Sequence, residues 1–365
     1  MIYVKKFIGL AWFLSVFCLS DTQALQADTE APTPAKLTDV TYIGSHNSYK
    51  RAIEPRLLTI LRWLDEDTAN SLDYHHKTLE AQLALGIRLF ELDVFYDPKG
   101  GLYANPLGAR WPFAKQGLTP EMKDLLRTPG FKVLHAQDID YRSHCITFRQ
   151  CLESFASFSD DNANHEPIIV TLNLKASPIN LPGFTHPLAF DHTAFLALEA
   201  EILSVLARPR LFSPEDLQGA WPTLATAVER DGWPLFNELR DRFIFVLDES
   251  EAKLANYSQL LREHKAGLLF KTPPLGHPDA AILVLNDPIG MAREIQSGTE
   301  LGYLVRTRAD ADTVEARSND IKRRNAAFRS GAQLISTDYY LPDPRFNGNY
   351  QVQFSTGGYI EIPSN

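Results

Sequence analysis

The stretch Val40-Thr41-Tyr42-Ile43-Gly44-Ser45-His46-Asn47-Ser48-Tyr49 constrains the fold more than any other part of the chain. An apolar run that stops at a His-Asn pair delivers two functional side chains from a rigid base. The pattern returns in Ile87-Arg88-Leu89-Phe90-Glu91-Leu92-Asp93-Val94 and again in Lys132-Val133-Leu134-His135. Three strand-like runs therefore end at or near imidazole, amide or carboxylate groups. Chemistry repeated at the C-terminal ends of strands points to a parallel barrel with its site on one rim.

Further runs complete that expectation. Pro167 to Leu174 is almost wholly apolar, as a strand buried on both faces would be. Phe243–Leu247, Ala281–Leu285, Gly302–Val305 and Ala332–Ser336 read as further strands, giving eight in all. Helical spacing lies between several of them: Arg56–Leu64, Thr78–Leu85 ending at Gly86, Phe148–Phe158, Thr193–Leu206, a Ser213-capped start, and Thr313–Phe328. The fold class is α/β, a (β/α)8 TIM-type barrel with long rim loops. The longest loop, Tyr96 to Gly130, carries Leu102, Tyr103, Leu107, Trp111, Pro112 and Phe113, and is read as a membrane-touching loop, a lid or plain packing.

At 365 residues the chain suits one large α/β barrel or two average domains. Lys5 and Lys6 precede the apolar run Phe7–Leu19, which fits a secretory signal peptide over residues 1–27, with cleavage after Ala24 or Ala27. A linker over 28–37 leads into a single catalytic domain over 38–365, and the expected location is secreted or periplasmic. Two cysteines remain after such cleavage, Cys145 and Cys151, and so close a pair in an exported protein reads as a disulfide. The formal net charge of −9 argues against blanket attraction to nucleic acid or to anionic lipid. Phosphate chemistry must then rely on local cations or a metal.

Glu91 and Asp93 stand two apart on a strand and share a face. Two adjacent carboxylates repel unless a cation lies between them. With Asn47 and Asn173 they form a set of oxygen donors, which suits a hard divalent ion such as Ca²⁺ or Mg²⁺. His46 and His135, read as residents of neighbouring strands, suit acid–base catalysis at a phosphodiester beside that ion. The bland alternative is a salt-bridged carboxylate and two hydrogen-bonded structural histidines.

Gly44-Ser45-His46-Asn47-Ser48-Tyr49, Phe90-Glu91-Leu92-Asp93-Val94 and Val133-Leu134-His135 resemble the secreted microbial calcium-dependent phosphatidylinositol-specific phospholipases C, which have PLC-like phosphodiesterase barrels. Leu304 to Asp310 and Ser336 to Pro342 resemble their C-terminal signatures. The resemblance spans about Thr38 to Tyr350. It implies that His46 and His135 are catalytic, that Asn47, Glu91 and Asp93 ligate Ca²⁺, and that Glu91 or another carboxylate near the metal is the base. The eukaryotic enzymes carry a fourth ligand, a Glu, in the fourth strand. Here Asn173 stands at that place, which removes one negative charge from the ion's surroundings.

Lys175, Arg306 and Arg308 are candidates for phosphate or inositol binding. Tyr339 or Tyr340 is a candidate for stacking on the inositol ring, and Asp138 and Asp140 for orienting His135. The implied reaction is cleavage of phosphatidylinositol-type lipids to diacylglycerol and a cyclic or open inositol phosphate. The expected partner is a phospholipid at a membrane surface, with no nucleic acid and no stable protein partner implied. The alternatives are a glycerophosphodiester phosphodiesterase or sphingomyelinase-D-like enzyme, and a catalytically idle barrel that binds lipid or glycan.

Overall fold

The computed structural model describes residues 34–110, 117–264 and 267–363. The signal segment 1–27, most of the linker, and Trp111, Pro112 and Phe113 lie outside the described residues.

The described residues form ten strands: β1 (Thr41–Ser45), β2 (Leu89–Phe95), β3 (Lys132–Val133), β4 (Ile168–Leu174), β5 (Phe243–Leu247), β6 (Leu269–Lys271), β7 (Ile282–Val284), β8 (Leu304–Arg308), β9 (Leu334–Thr337) and β10 (Ile360–Glu361). Every recorded pairing among β1, β2 and β4 to β9 is parallel. These eight are the strands of the barrel. Their ladders form two arcs, β10-β1-β9-β8-β7 and β3-β2-β4-β5-β6. Parallel neighbours need crossovers, and helices supply most of them, including Phe148–Asp161, His192–Val205 and Ala292–Glu300.

Local sequence explains the helix boundaries. The Thr78 hydroxyl accepts from Ala81 N at 3.3 Å and starts Leu79–Ala84. Gly86 follows that helix at φ +94°, a conformation that favours glycine. Thr147 and Gln150 form a reciprocal capping box at the start of Phe148–Asp161. The charged segment expected as one helix over Thr313–Phe328 is instead two, Val314–Ser318 and Lys322–Arg329. Asn319, at φ +53°, breaks it with a left-handed turn.

Side-chain alternation on β2 separates core from chemistry. Phe90, Leu92 and Val94 join the cluster that contains Phe155 of Phe148–Asp161, and the Phe90 and Phe155 rings lie 5.0 Å apart. Leu89, Glu91 and Asp93 take the other face, where Leu89 packs with Ile169, Ile244 and Phe270. The register pairs Leu89 with Ile169, Glu91 with Thr171 and Asp93 with Asn173. The interior is thus apolar at the strand starts and polar at the strand ends.

Two expectations are corrected. Lys132–His135 is not a barrel strand. Only Lys132–Val133 is extended, and it runs antiparallel to β2, with Val94 opposite Val133. His135 therefore comes from the turn beyond β3 and not from a neighbouring parallel strand. The strand missing from the sequence reading is β6, whose three residues are too few to show a period.

No ladder joins β1 to β2 among the described residues. That seam is closed by packing and by the motif after β1: Ser48 N donates to Glu91 O at 2.9 Å. Gly44 is required there, because a Cβ would collide with the Leu89 carbonyl oxygen and side chain. Gly44→Ala is expected to destabilise the protein by about 1–3 kcal/mol, the usual cost of overpacking. Urea denaturation monitored by circular dichroism measures it.

Candidate active site

Small hydroxyl residues hold the His-Asn pair at the end of β1. His46 N donates to Thr337 O at 2.9 Å, tying the motif to β9. Ser48 Oγ accepts from Glu91 N at 2.8 Å, tying it to β2. Ser45 Oγ donates to Gln82 Oε1 at 2.6 Å. Asn47 sits at φ +48°, a turn that Asn tolerates better than most residues. The backbone thereby brings His46 up to the Glu91 carboxylate of β2.

Each histidine is held at Nδ1 by a buried carboxylate. His46 Nδ1 lies 2.8 Å from Asp338 Oδ1, and His46 Nε2 lies 3.6 Å from Glu91 Oε1. His135 Nδ1 lies 2.8 Å from Asp140 Oδ2. Both pairs leave Nε2 as the nitrogen available to a substrate. Burial and the Arg308 charge push the His46 imidazole well below its ordinary range, against the pull of Glu91. Burial raises the Asp338 carboxyl, while Arg308, 3.2 Å away, works against the rise. Burial and Asp338 push its neighbour Asp310 up to about 7. Asp140 is lowered: burial opposes this, but Lys50 and His135 together outweigh it.

The four oxygen donors expected from the sequence are Asn47, Glu91, Asp93 and Asn173. Asn47, Glu91 and Asp93 are buried, and register places Asn173 beside Asp93. Among the described residues, no group of three or more His, Cys, Asp or Glu stands in metal-binding array. A set of two carboxylates and two amides is not of that type. Its members nonetheless fit a hard cation, because Asn47 Oδ1 and Asp93 Oδ1 are buried without a hydrogen-bond partner. The protein's own cations neutralise the carboxylates. Arg306 Nη2 pairs with Glu91 Oε2, and Lys175 Nζ lies 2.9 Å from Asp93 Oδ2. Burial pulls the Lys175 pKa down, but the charges of Asp93 and Glu91 prevail and the net shift is upward.

The remaining candidates divide. Lys175 and Arg308 stand at the site, with Arg308 Nη2 3.4 Å from His46 Nδ1. Arg306 is 2% exposed and engaged by Glu91, Asp248 (2.7 Å) and Ser336 (3.2 Å). It organises the mouth and has no donor array open to a ligand. Tyr339 packs against Phe346 and Tyr350, and Tyr340 stacks on His76 and meets Tyr359 edge-on. Both rings are buried, so the stacking role on inositol does not fit them. Asp140 orients His135. Asp138 instead accepts from Leu107 N and Thr185 N, joining two rim loops.

Sequence reasoning missed Lys50, Tyr74 and Asp248, and it set His76 aside among the surface or structural histidines. The Tyr74 hydroxyl accepts from Asn47 Nδ2 at 2.6 Å. His76, held neutral at about 3 by burial, lies with Nε2 2.7 Å from the His46 carbonyl. Lys50, three residues beyond Asn47, was the one with a signal: a lysine closing an otherwise neutral buried motif.

Two carboxylate-oriented histidines and a set of buried oxygen donors are groups that suit a metal-assisted phosphodiesterase. The family described as phosphoinositide phospholipase C, Ca²⁺-dependent, matches residues 35–363, and the chain belongs to it. Its cofactor is accordingly Ca²⁺. No curated protein matches the chain. A calcium-dependent phosphoinositol-specific phospholipase C from a Gram-negative Pseudomonas species aligns at 16% identity and TM-score 0.55, over 90% of this chain and 95% of that one. Its myoinositol complex aligns equally well, over 90% and 96%. The Streptomyces antibioticus Ca²⁺-dependent enzyme aligns at 16% identity and TM-score 0.54, over 84% and 95%. At such identity these likenesses establish the barrel fold.

Chelation is expected to abolish activity and added Ca²⁺ to restore it. Asp93→Asn is expected to weaken Ca²⁺ binding and Asn173→Glu to tighten it, both read by isothermal titration calorimetry. An unchanged affinity in both variants would remove these two residues from the ligand set.

Proposed function

We propose that this protein cleaves the phosphodiester of phosphatidylinositol-type lipids with His46, His135 and Glu91 as its catalytic residues. The observation that carries the assignment is the paired geometry: two imidazoles, each fixed at Nδ1 by a buried carboxylate, beside the unpartnered oxygens of Asn47 and Asp93. Asn47, Glu91, Asp93 and Asn173 would hold Ca²⁺. When bound, the ion lowers the pKa of the attacking hydroxyl and offsets charge growing on the phosphoryl oxygens.

The inositol 2-hydroxyl oxygen bonds to phosphorus as the bond from phosphorus to the glycerol oxygen breaks. Glu91, beside His46 Nε2, is the carboxylate placed to take the hydroxyl proton. His46, once protonated in the presence of the anionic phosphate, donates a hydrogen bond from Nε2 to the phosphoryl group, while Asp338 at Nδ1 keeps its ring from turning. His135, entering the step as the imidazolium with Nδ1–H on Asp140, gives its Nε2 proton to the departing diacylglycerol oxygen and is left neutral. Lys175 and Arg308 supply positive charge at the rim for the phosphate. The myoinositol complex of the Pseudomonas enzyme supports an inositol headgroup.

The reading includes contact with a membrane surface. Its support is the exposure of apolar groups on segments that follow barrel strands: Trp63 (84% exposed) and Leu64 after β1, Leu181 after β4 and Ile289 after β7. In the loop Tyr96–Gly130, by contrast, Tyr103 is buried against Phe95 and belongs to the packing. No helix among the described residues is long and apolar enough to cross a membrane. Export fits the basic and apolar N-terminal sequence together with the Cys145–Cys151 disulfide.

Release of diacylglycerol from phosphatidylinositol, against choline or glycerol from other lipids, separates this function from the sphingomyelinase-D-like and glycerophosphodiesterase alternatives. His46→Ala and His135→Ala are each expected to lower turnover by about 10²- to 10⁴-fold. A phenolate leaving group should partly rescue His135→Ala and not His46→Ala. Trp63→Ala should weaken partition onto phosphatidylinositol vesicles in a sedimentation assay and leave hydrolysis of a soluble inositol phosphodiester unchanged.

A further inference from the structure

Lys50 is fully buried, three residues past Asn47. An ammonium group has three protons to give, and each has an oxygen to meet: Leu72 O at 2.8 Å, Tyr74 O at 3.0 Å and Asp140 Oδ2 at 2.9 Å. The same Asp140 Oδ2 holds His135 Nδ1. Asp140 Oδ1 has no hydrogen-bond partner. The orientation of this carboxylate thus depends on one oxygen shared between a lysine and the catalytic imidazole. The Lys50 ammonium also lies 4.5 Å from the Tyr74 ring centroid, and the hydroxyl of that ring contacts Asn47 and His46. A single buried cation therefore touches the supports of both catalytic histidines.

A buried lysine that merely cancels a buried aspartate would account for the ion pair alone. It would not require that the paired oxygen be the one bonded to His135, nor that the remaining protons be tied to the two backbone carbonyls flanking Asp73. Those carbonyls fix the ammonium in place, and the ammonium fixes the carboxylate. We propose that Lys50 is a positioning residue for the reaction: it pins Asp140 Oδ2 on His135 Nδ1 and so determines that His135 presents Nε2 to the substrate. The charged and titratable groups around this pair are Tyr49 and Tyr74 beside Asp140, and His46 and Asp338 across the cleft from His135. The inference rests on the reading of His135 as catalytic.

The test compares Lys50→Met, Asp140→Asn and the double variant, using calcium-loaded full-length protein. Nitrogen-15 chemical shifts of the His135 ring report its tautomer without reference to activity. In the wild type Nδ1 is expected to keep its proton on Asp140 while Nε2 is the nitrogen that gains and loses one. In Lys50→Met this arrangement should give way to a mixture, with kcat lowered by about 10- to 100-fold, part of what acid–base catalysis supplies, and KM nearly unchanged. If Lys50 acts through Asp140, the double variant should lose no more kcat than Asp140→Asn alone. Wild-type tautomer and kcat in a folded but less stable Lys50→Met would overturn the inference and leave Lys50 a purely structural cation. Should Lys50→Met fail to fold, the double variant, which buries no lone charge, decides the matter: a further kcat loss beyond Asp140→Asn overturns it. Full activity of His135→Ala would instead defeat the underlying reading of His135.

Discussion

Charge compensation inside a largely apolar barrel is the constraint on which the rest of the structure depends. Four of the buried carboxylates around the site are paired with cations: Glu91 with Arg306, Asp93 with Lys175, Asp140 with Lys50 and Asp338 with Arg308. An unpaired charge at these depths costs several kcal/mol. The cations come from β8, from just beyond β4 and from the turn after β1, so pairing them also fixes how distant segments meet. Arg306 does most of this, reaching Glu91 on β2, Asp248 past β5 and Ser336 on β9.

The two histidines are supported by different architecture. His46 continues directly from β1 and is held by β9 through Thr337 O and Asp338. His135 stands on a loop that closes on itself: Val133 N donates to Ile146 O and Phe148 N to Phe131 O. The disulfide between Cys145 and Cys151 joins the end of that loop to the helix Phe148–Asp161. His144 N then donates to Tyr49 O, stitching the loop to the motif after His46. A loop so fastened can place an imidazole as firmly as a strand.

What was legible in the sequence follows from range of interaction. Glu91 and Asp93 were legible because a period of two is intrinsic to a strand, and His46-Asn47 because the apolar run before them ends abruptly. The disulfide was legible because its cysteines are close in the chain and the N-terminal sequence reads as an export signal. The origin of His135 was not, since an apolar Lys-Val-Leu-His run looks alike whether it pairs parallel or antiparallel. Nor was the burial of Tyr339 and Tyr340, whose neighbours Phe346, Tyr350 and Tyr359 arrive from the C-terminal segment. The pairing of Lys50 with Asp140 joins positions 90 apart and leaves no local trace.

The gap in the ladder between β1 and β2 has a consequence for motion. His46 and Asn47 hang from one side of that gap, Glu91 and Asp93 from the other. In every other direction the strands near them are bound by continuous backbone hydrogen bonds, but here the bridge is Ser48 and the packing of Gly44 on Leu89. The proposed ligand set therefore straddles one of the two seams that no ladder closes among the described residues. A cation held by the proposed set would be gripped from both banks and would act as a clasp on the cylinder, so amides flanking the gap should report ion occupancy through their exchange with solvent.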